Sequence, residues 1–140
     1  EEALPYYEKA LAINQETLGY EHPDTATSLN DMGLLLCSMG RWAEARPYFG
    51  DALKIFKNTL GQEHPYTATS LNNMGYLLQS MGQLEEVQPF YAEALAIREK
   101  VLGWEHPDTA NSLNGMGALF HELGRPSGWR PCFITVDLKL

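Results

Sequence analysis

The stretch Leu18-Gly19-Tyr20-Glu21-His22-Pro23-Asp24-Thr25-Ala26-Thr27-Ser28-Leu29-Asn30-Asp31-Met32-Gly33 recurs at residues 60–75 and again at 102–117. Each copy starts 42 residues after the last, with no insertion or deletion. A fixed period between about 20 and 50 residues marks a stacked repeat array, in which each unit buries its apolar face only against its neighbours. That leaves one kind of architecture. It names no partner.

Within a period the apolar residues fall into two helical series. Leu29, Met32, Gly33 and Leu36 follow one, and Ala45, Phe49, Ala52, Leu53, Phe56 and Leu60 the other. Both fit a 3.6-residue repeat and neither alternates as a strand does. Gly40 stands between them, where a glycine can end a helix in the left-handed conformation. Each repeat therefore reads as a helical hairpin with a longer second helix. Pro23, Pro65 and Pro107 suit a first helical turn, and Asp24 and Asp108 put a carboxylate at the positive end of the dipole. Gly33, Gly75 and Gly117 lie inside helices, which points to close approach of the paired helix's backbone. Pro47 and Pro89 should bend the long helices without ending them.

These residues carry a resemblance. Leu29, Met32-Gly33, Leu36, Gly40, Ala45, Phe49 and Ala52-Leu53 stand at the spacings of the tetratricopeptide (TPR) signature. The period of 42, the ending Leu-Gly-X-Glu-His-Pro and the Leu-Asn-Asn-Met-Gly segment resemble the repeats of kinesin light chain and related bacterial arrays. The resemblance implies an all-α, right-handed α-solenoid of TPR hairpins, about three repeats, incomplete at both ends. Residues 1–125 form the array. Residues 1–18 supply the second helix of a truncated repeat, 23–60 and 65–102 are complete repeats, and 107–125 give the first helix of a last one. The segment 126–140 keeps the register at Arg130-Pro131-X-Phe133 but crowds Pro126, Gly128 and Pro131 together, so a divergent, non-helical tail is expected. Ile134, Val136, Leu138 and Leu140 alternate there in a strand pattern, with Trp129 and Phe133 as apolar plugs for the last helix.

Composition narrows the function classes. A net charge of −8 argues against a nucleic-acid partner. No apolar run nears the roughly 20 residues of a membrane helix, and no secretory leader or Asn-X-Ser/Thr sequon occurs. Cys37 and Cys132 suggest no disulfide framework. A reducing, cytoplasmic setting is expected, and the opening Glu1-Glu2 in mid-helix pattern reads as a piece of a longer array. His22, His64 and His106 recur one repeat apart, too far to share a metal ion with helices packed about 8–10 Å apart, so they are assigned to the turn. His121-Glu122 lacks the second histidine of a zinc-peptidase helix. No glycine-rich phosphate loop or nucleophile elbow is present. Neither an enzyme nor a cofactor is expected.

In TPR arrays the first helices line the concave surface, so the resemblance points to their outward residues. Asn30, Asp31, Leu34, Asn72, Asn73, Tyr76, Gln79, Asn114 and His121 are the candidate peptide-binding positions. Asn30, Asn72 and Asn114 form a ladder of carboxamides able to pair with the backbone of an extended peptide, or else to bond neighbouring helices and stabilise the stack. From Asp24 to Met39, Tyr66 to Met81 and Asp108 to Leu123 there is no Lys or Arg. The basic clamp by which chaperone-docking TPR domains hold a terminal carboxylate is therefore missing. The expected partner is a protein or peptide, neutral or basic rather than acidic. The alternatives are a spacer that self-assembles through its open repeat ends, and a regulatory domain of a larger signalling ATPase.

Overall fold

In the computed structural model, which describes residues 2–124, the described residues form six α-helices and no strand. They are α1 (Leu4–Thr17), α2 (Pro23–Ser38), α3 (Trp42–Thr59), α4 (Pro65–Ser80), α5 (Leu84–Leu102) and α6 (Pro107–Glu122). The recurring Leu-Gly-X-Glu-His-Pro-X-Thr sequence turns each long helix into the next short one. Gly19, Gly61 and Gly103 take φ of +93°, +97° and +85°, open to glycine without steric cost. Three residues on, Nδ1 of His22, His64 and His106 accepts the backbone N–H of Asp24, Tyr66 and Asp108 at 3.1, 3.1 and 3.0 Å. The histidines are thus the caps of α2, α4 and α6. Proline follows in the first turn. The buried hydroxyls of Thr25, Thr67 and Thr109 then donate back to the carbonyls of Gly19, Gly61 and Gly103 at 2.7, 2.8 and 2.8 Å. One octapeptide closes the turn from both sides.

Helices α2 with α3, and α4 with α5, make two antiparallel-type hairpins, while α1 packs on α2, α3 on α4 and α5 on α6. Leu29, Met32, Gly33 and Leu36 are buried, as are Ala45, Phe49, Ala52 and Phe56, whereas Leu53 and Leu60 are only half-buried. Ile55 and Ile97 join the core as well, because a second helix is covered on two sides, by its own first helix and by that of the next repeat. Both α3 and α5 continue through Pro47 and Pro89.

The helical glycines correct one expectation. A Cβ on Gly33 would stand 2.6 Å from the Phe49 ring, and a Cβ on Gly75 would stand 2.6 Å from that of Tyr91. An aromatic ring of the second helix, rather than its backbone, occupies the space. Contact with that ring offsets the roughly 1 kcal/mol of helix propensity that a glycine forfeits.

Helix α2 approaches α4 and α4 approaches α6, but α3 and α5 make no such approach. The array therefore closes on the side of its first helices and opens on the side of its second ones. Helices α2, α4 and α6 line the inner face. The expected tail at 126–140, with Trp129, Phe133 and the alternating segment, lies outside the described residues.

Candidate functional site

Two members of the carboxamide ladder bond the neighbouring repeat. Asn30 is 7% exposed and its Nδ2 donates to Ser70 Oγ of the next repeat at 2.9 Å. Its Oδ1 is buried with no partner among the described residues. Asn72, half-buried, accepts from Ser112 Oγ at 3.4 Å. One junction earlier, Asn14 Nδ2 donates to Ser28 Oγ at 2.8 Å. Ser28, Ser70 and Ser112 occupy one register, so each first helix offers a hydroxyl to the element before it. Buried and bonded across the junction, Asn30 acts as a strut between α2 and α4. The sequence reading placed it on an outward face because helical spacing alone does not show that the next helix covers it. Asn114 is exposed on α6.

Three of the expected residues do converge. Tyr76, Gln79 and Asn114 line a cleft of about 400 Å³ between α4 and α6, together with Ser80, Tyr91, Gly115, Ala118 and Glu122. Small residues make the hollow. Gly115 stands where the earlier repeats have Asn73 and Asp31, and Ala118 where they have Tyr76 and Leu34. Tyr76 is 53% exposed at its edge. Behind it Tyr91, only 2% exposed, donates its hydroxyl to Gln79 Oε1 at 2.9 Å, and Gln79 Nε2 donates to Glu122 Oε1 at 2.5 Å. The chain from Tyr91 through Gln79 fixes the carboxylate of Glu122. Burial, then the Glu122 carboxylate and Tyr76, push the Tyr91 phenol up to about 12.

Asp31, Leu34, Asn73 and His121 do not line this cleft. Asp31, Leu34 and His121 are exposed and Asn73 is half-buried. Partial shielding from water raises the Asp31 carboxyl above its usual value even so.

Tyr91 escaped the sequence reading because it sits on a second helix, where its register partner Phe49 belongs to the core. The signal was nonetheless present. One repeat earlier the pair Phe49 and Cys37 stands where this repeat has Tyr91 and Gln79, so a hydroxyl and its acceptor arrive together. Gly115 gives the ring access, since a Cβ there would come within 3.2 Å of it.

The electrostatic setting is one-sided. Arg41 pairs with Glu44 at 2.6 Å, Arg46 with Glu86 at 3.8 Å, Lys57 with Glu93 at 3.2 Å and Lys100 with Glu63 at 2.6 Å. All of these cations stand on second helices or in the turns before them, and such exposed pairs add little stability. Arg41 also holds the exposed Glu44 carboxyl below its usual range, chiefly through a hydrogen bond. Among the described residues no three His, Cys, Asp or Glu side chains are grouped to hold a metal ion, and no helix is long and apolar enough to cross a membrane.

The sequence model of the tetratricopeptide repeat family matches residues 1–58, 24–100 and 66–127. No curated protein sequence matches the chain. Among solved structures, BtubC (BKLC) from P. vanneervenii is 28% identical, with a TM-score of 0.79 over 87% of this chain and 49% of that one. A kinesin light chain-like protein of Podosopora anserina, with nearly identical TPR-like repeats, is 27% identical, with a TM-score of 0.80 over 89% of this chain and 59% of that one. The chain thus spans between 49% and 59% of the length of these two proteins.

Proposed function

The chain belongs to the tetratricopeptide repeat family, and we propose that it is a protein-interaction scaffold holding an extended segment of a partner in the cleft between α4 and α6. TPR repeats generally mediate protein–protein interaction. The observation that carries the finer reading is the exposed Tyr76 ring beside a hollow floored by Gly115 and Ala118 and edged by Gln79, Asn114 and Glu122. An aromatic anchor with adjacent amides suits an extended peptide, whose side chain enters the hollow while its backbone meets the carboxamides. Asn72, Asn73, Asp31, Leu34 and His121 extend the contact along the inner face. The absence of Lys and Arg from α2, α4 and α6 favours a neutral or basic partner over an acidic one. Binding rather than catalysis is the role proposed, in a reducing, cytoplasmic setting that suits the buried Cys37 thiol.

The test is a peptide-display selection followed by titration against Tyr76→Ala. Tyr76 is exposed, so the variant should keep its circular dichroism and melting temperature while the selected peptides bind about tenfold more weakly. Unchanged affinity would move the contact elsewhere. A second reading, self-association, has the exposed Tyr6, Tyr7 and Ile13 of α1 and Leu113 of α6 in its favour. Sedimentation at several concentrations separates it from the first.

A further inference from the structure

The cleft has features that go beyond a general preference for uncharged or basic segments. Glu122 is exposed at its rim, and no Lys, Arg or His among the described residues lies within ion-pair distance of it. One of its oxygens accepts Gln79 Nε2, and Gln79 is itself held by the Tyr91 hydroxyl. The carboxylate is thereby positioned before any partner arrives, and among the described residues nothing engages its second oxygen. Tyr76, across the same cleft, is 53% exposed and offers a ring face with negative quadrupole character. Burial raises the Tyr91 phenol most and the Glu122 carboxylate adds to it, as a negative charge at the mouth of the hollow would. No Lys or Arg of α4 or α6 opposes it.

We propose that this cleft selects an arginine side chain of the partner segment, its guanidinium lying against the Tyr76 ring and donating to the Glu122 carboxylate. The proposal rests on the groove reading above and assigns it a ligand chemistry. A flat guanidinium can stack on an aromatic ring and present N–H groups at its edge in one pose, which an ammonium cannot. Gly115 and Ala118 leave room for the stem to lie along α6. An acidic side chain would meet Glu122 as a like charge. An apolar one would cover the carboxylate without supplying a donor, leaving it desolvated with only the Gln79 bond.

The experiment uses the isotopically labelled whole chain and the peptides Ala-Ser-Arg-Ser-Ala and Ala-Ser-citrulline-Ser-Ala, which differ in charge but scarcely in shape. Amide shifts at Tyr76, Gly115 and Glu122 should follow addition of the arginine peptide, with binding about tenfold tighter than for citrulline. Glu122→Gln should abolish that discrimination. Glu85→Gln, an exposed charge on α5, should preserve it. Equal binding of the two peptides would overturn arginine selection and leave the groove reading standing. Equal binding of a lysine analogue would overturn the stacked guanidinium. If neither peptide shifts these amides while display-selected neutral peptides do, the arginine proposal falls alone. If no peptide of any kind shifts them, the groove reading falls with it.

Discussion

The two complete hairpins, α2 with α3 and α4 with α5, share one backbone plan and differ in what stands at matching positions. In the first, Phe49 lies over Gly33 in a core cluster that includes the buried Cys37, and its ring carries no hydroxyl. In the second, Tyr91 lies over Gly75 in the same way, but its hydroxyl leads through Gln79 to Glu122 at the surface. The contacts from one repeat to the next vary in parallel. Asn14 bonds the Asp24 carbonyl and Ser28. One repeat on, Phe56 and Tyr66 set their rings 5.6 Å apart. At the third, the buried Arg98 donates Nη1 to the Asp108 carbonyl and to Ser112 Oγ, both at 2.9 Å. Residues that punctuate the backbone are constant, while side chains that meet across it change in pairs. The constant set specifies the stack, and the variable pairs are where a site can arise.

The comparison breaks most visibly if its rings are removed. Phe49→Ala empties a fully buried position and should cost about 3–5 kcal/mol, read as a lower urea midpoint at unchanged slope. Tyr91→Ala should cost a similar amount and also release Gln79 and Glu122, so it should abolish peptide binding where Phe49→Ala leaves the folded cleft working.

The two hairpins also differ in alkali. Tyr91 ionises near 12 in the folded chain and near 10 unfolded. As pH rises the unfolded state loses this proton first, so the stability Tyr91 contributes is intact below pH 10 and falls through pH 12. The loss is about 2–3 kcal/mol. Tyr91→Phe should flatten that part of the stability curve. Urea titrations of both proteins at pH 9 and pH 11 are the check, and equal alkaline losses would contradict the buried phenol.

The glycines sharpen the contrast more gently. Gly75→Ala drives a Cβ to 2.6 Å from the Tyr91 ring. Its overpacking, about 1–3 kcal/mol, should exceed the roughly 1 kcal/mol gained in helix propensity. At the same register Gly117 has nothing described within 4 Å, and Gly117→Ala should stabilise by up to about 1 kcal/mol. Opposite shifts in melting temperature are expected.

What the sequence shows and what it hides divide along the same line. The glycine, histidine, proline and threonine of each turn are legible because three aligned copies mark them and each has a local backbone task. The apolar stripe of α2 is legible because a helix period is a local property. The cleft is only half legible. Tyr76, Gln79 and Asn114 follow from helical spacing, whereas Tyr91 reaches the cleft from a second helix only because Gly75 and Gly115 both lack a side chain. The burial of Asn30 is hidden for the converse reason, since its bond runs to Ser70, 40 residues away. Spacing says which way a side chain leaves its own helix. It does not say what the next repeat puts there.

The smallest expected effect concerns that ladder. Asn30→Ala removes a 2.9 Å bond to the buried Ser70, worth about 0.5–1.5 kcal/mol, but it also removes a buried Oδ1 that has no partner, so the net loss should sit at the lower end of that range. Asn72→Ala should cost still less, since its contact with Ser112 is long at 3.4 Å and Arg98 already donates to the same hydroxyl. Peptide affinity then separates the two residues. Asn30 is buried and should leave affinity untouched, whereas Asn72, half-buried on the inner face, should weaken it if its carboxamide meets a bound backbone. Paired thermal melts and peptide titrations decide between strut and contact: a loss of affinity in Asn30→Ala without a loss of stability would place Asn30 in the groove, and no loss in Asn72→Ala would leave Asn114 as the ladder's one contact with the peptide.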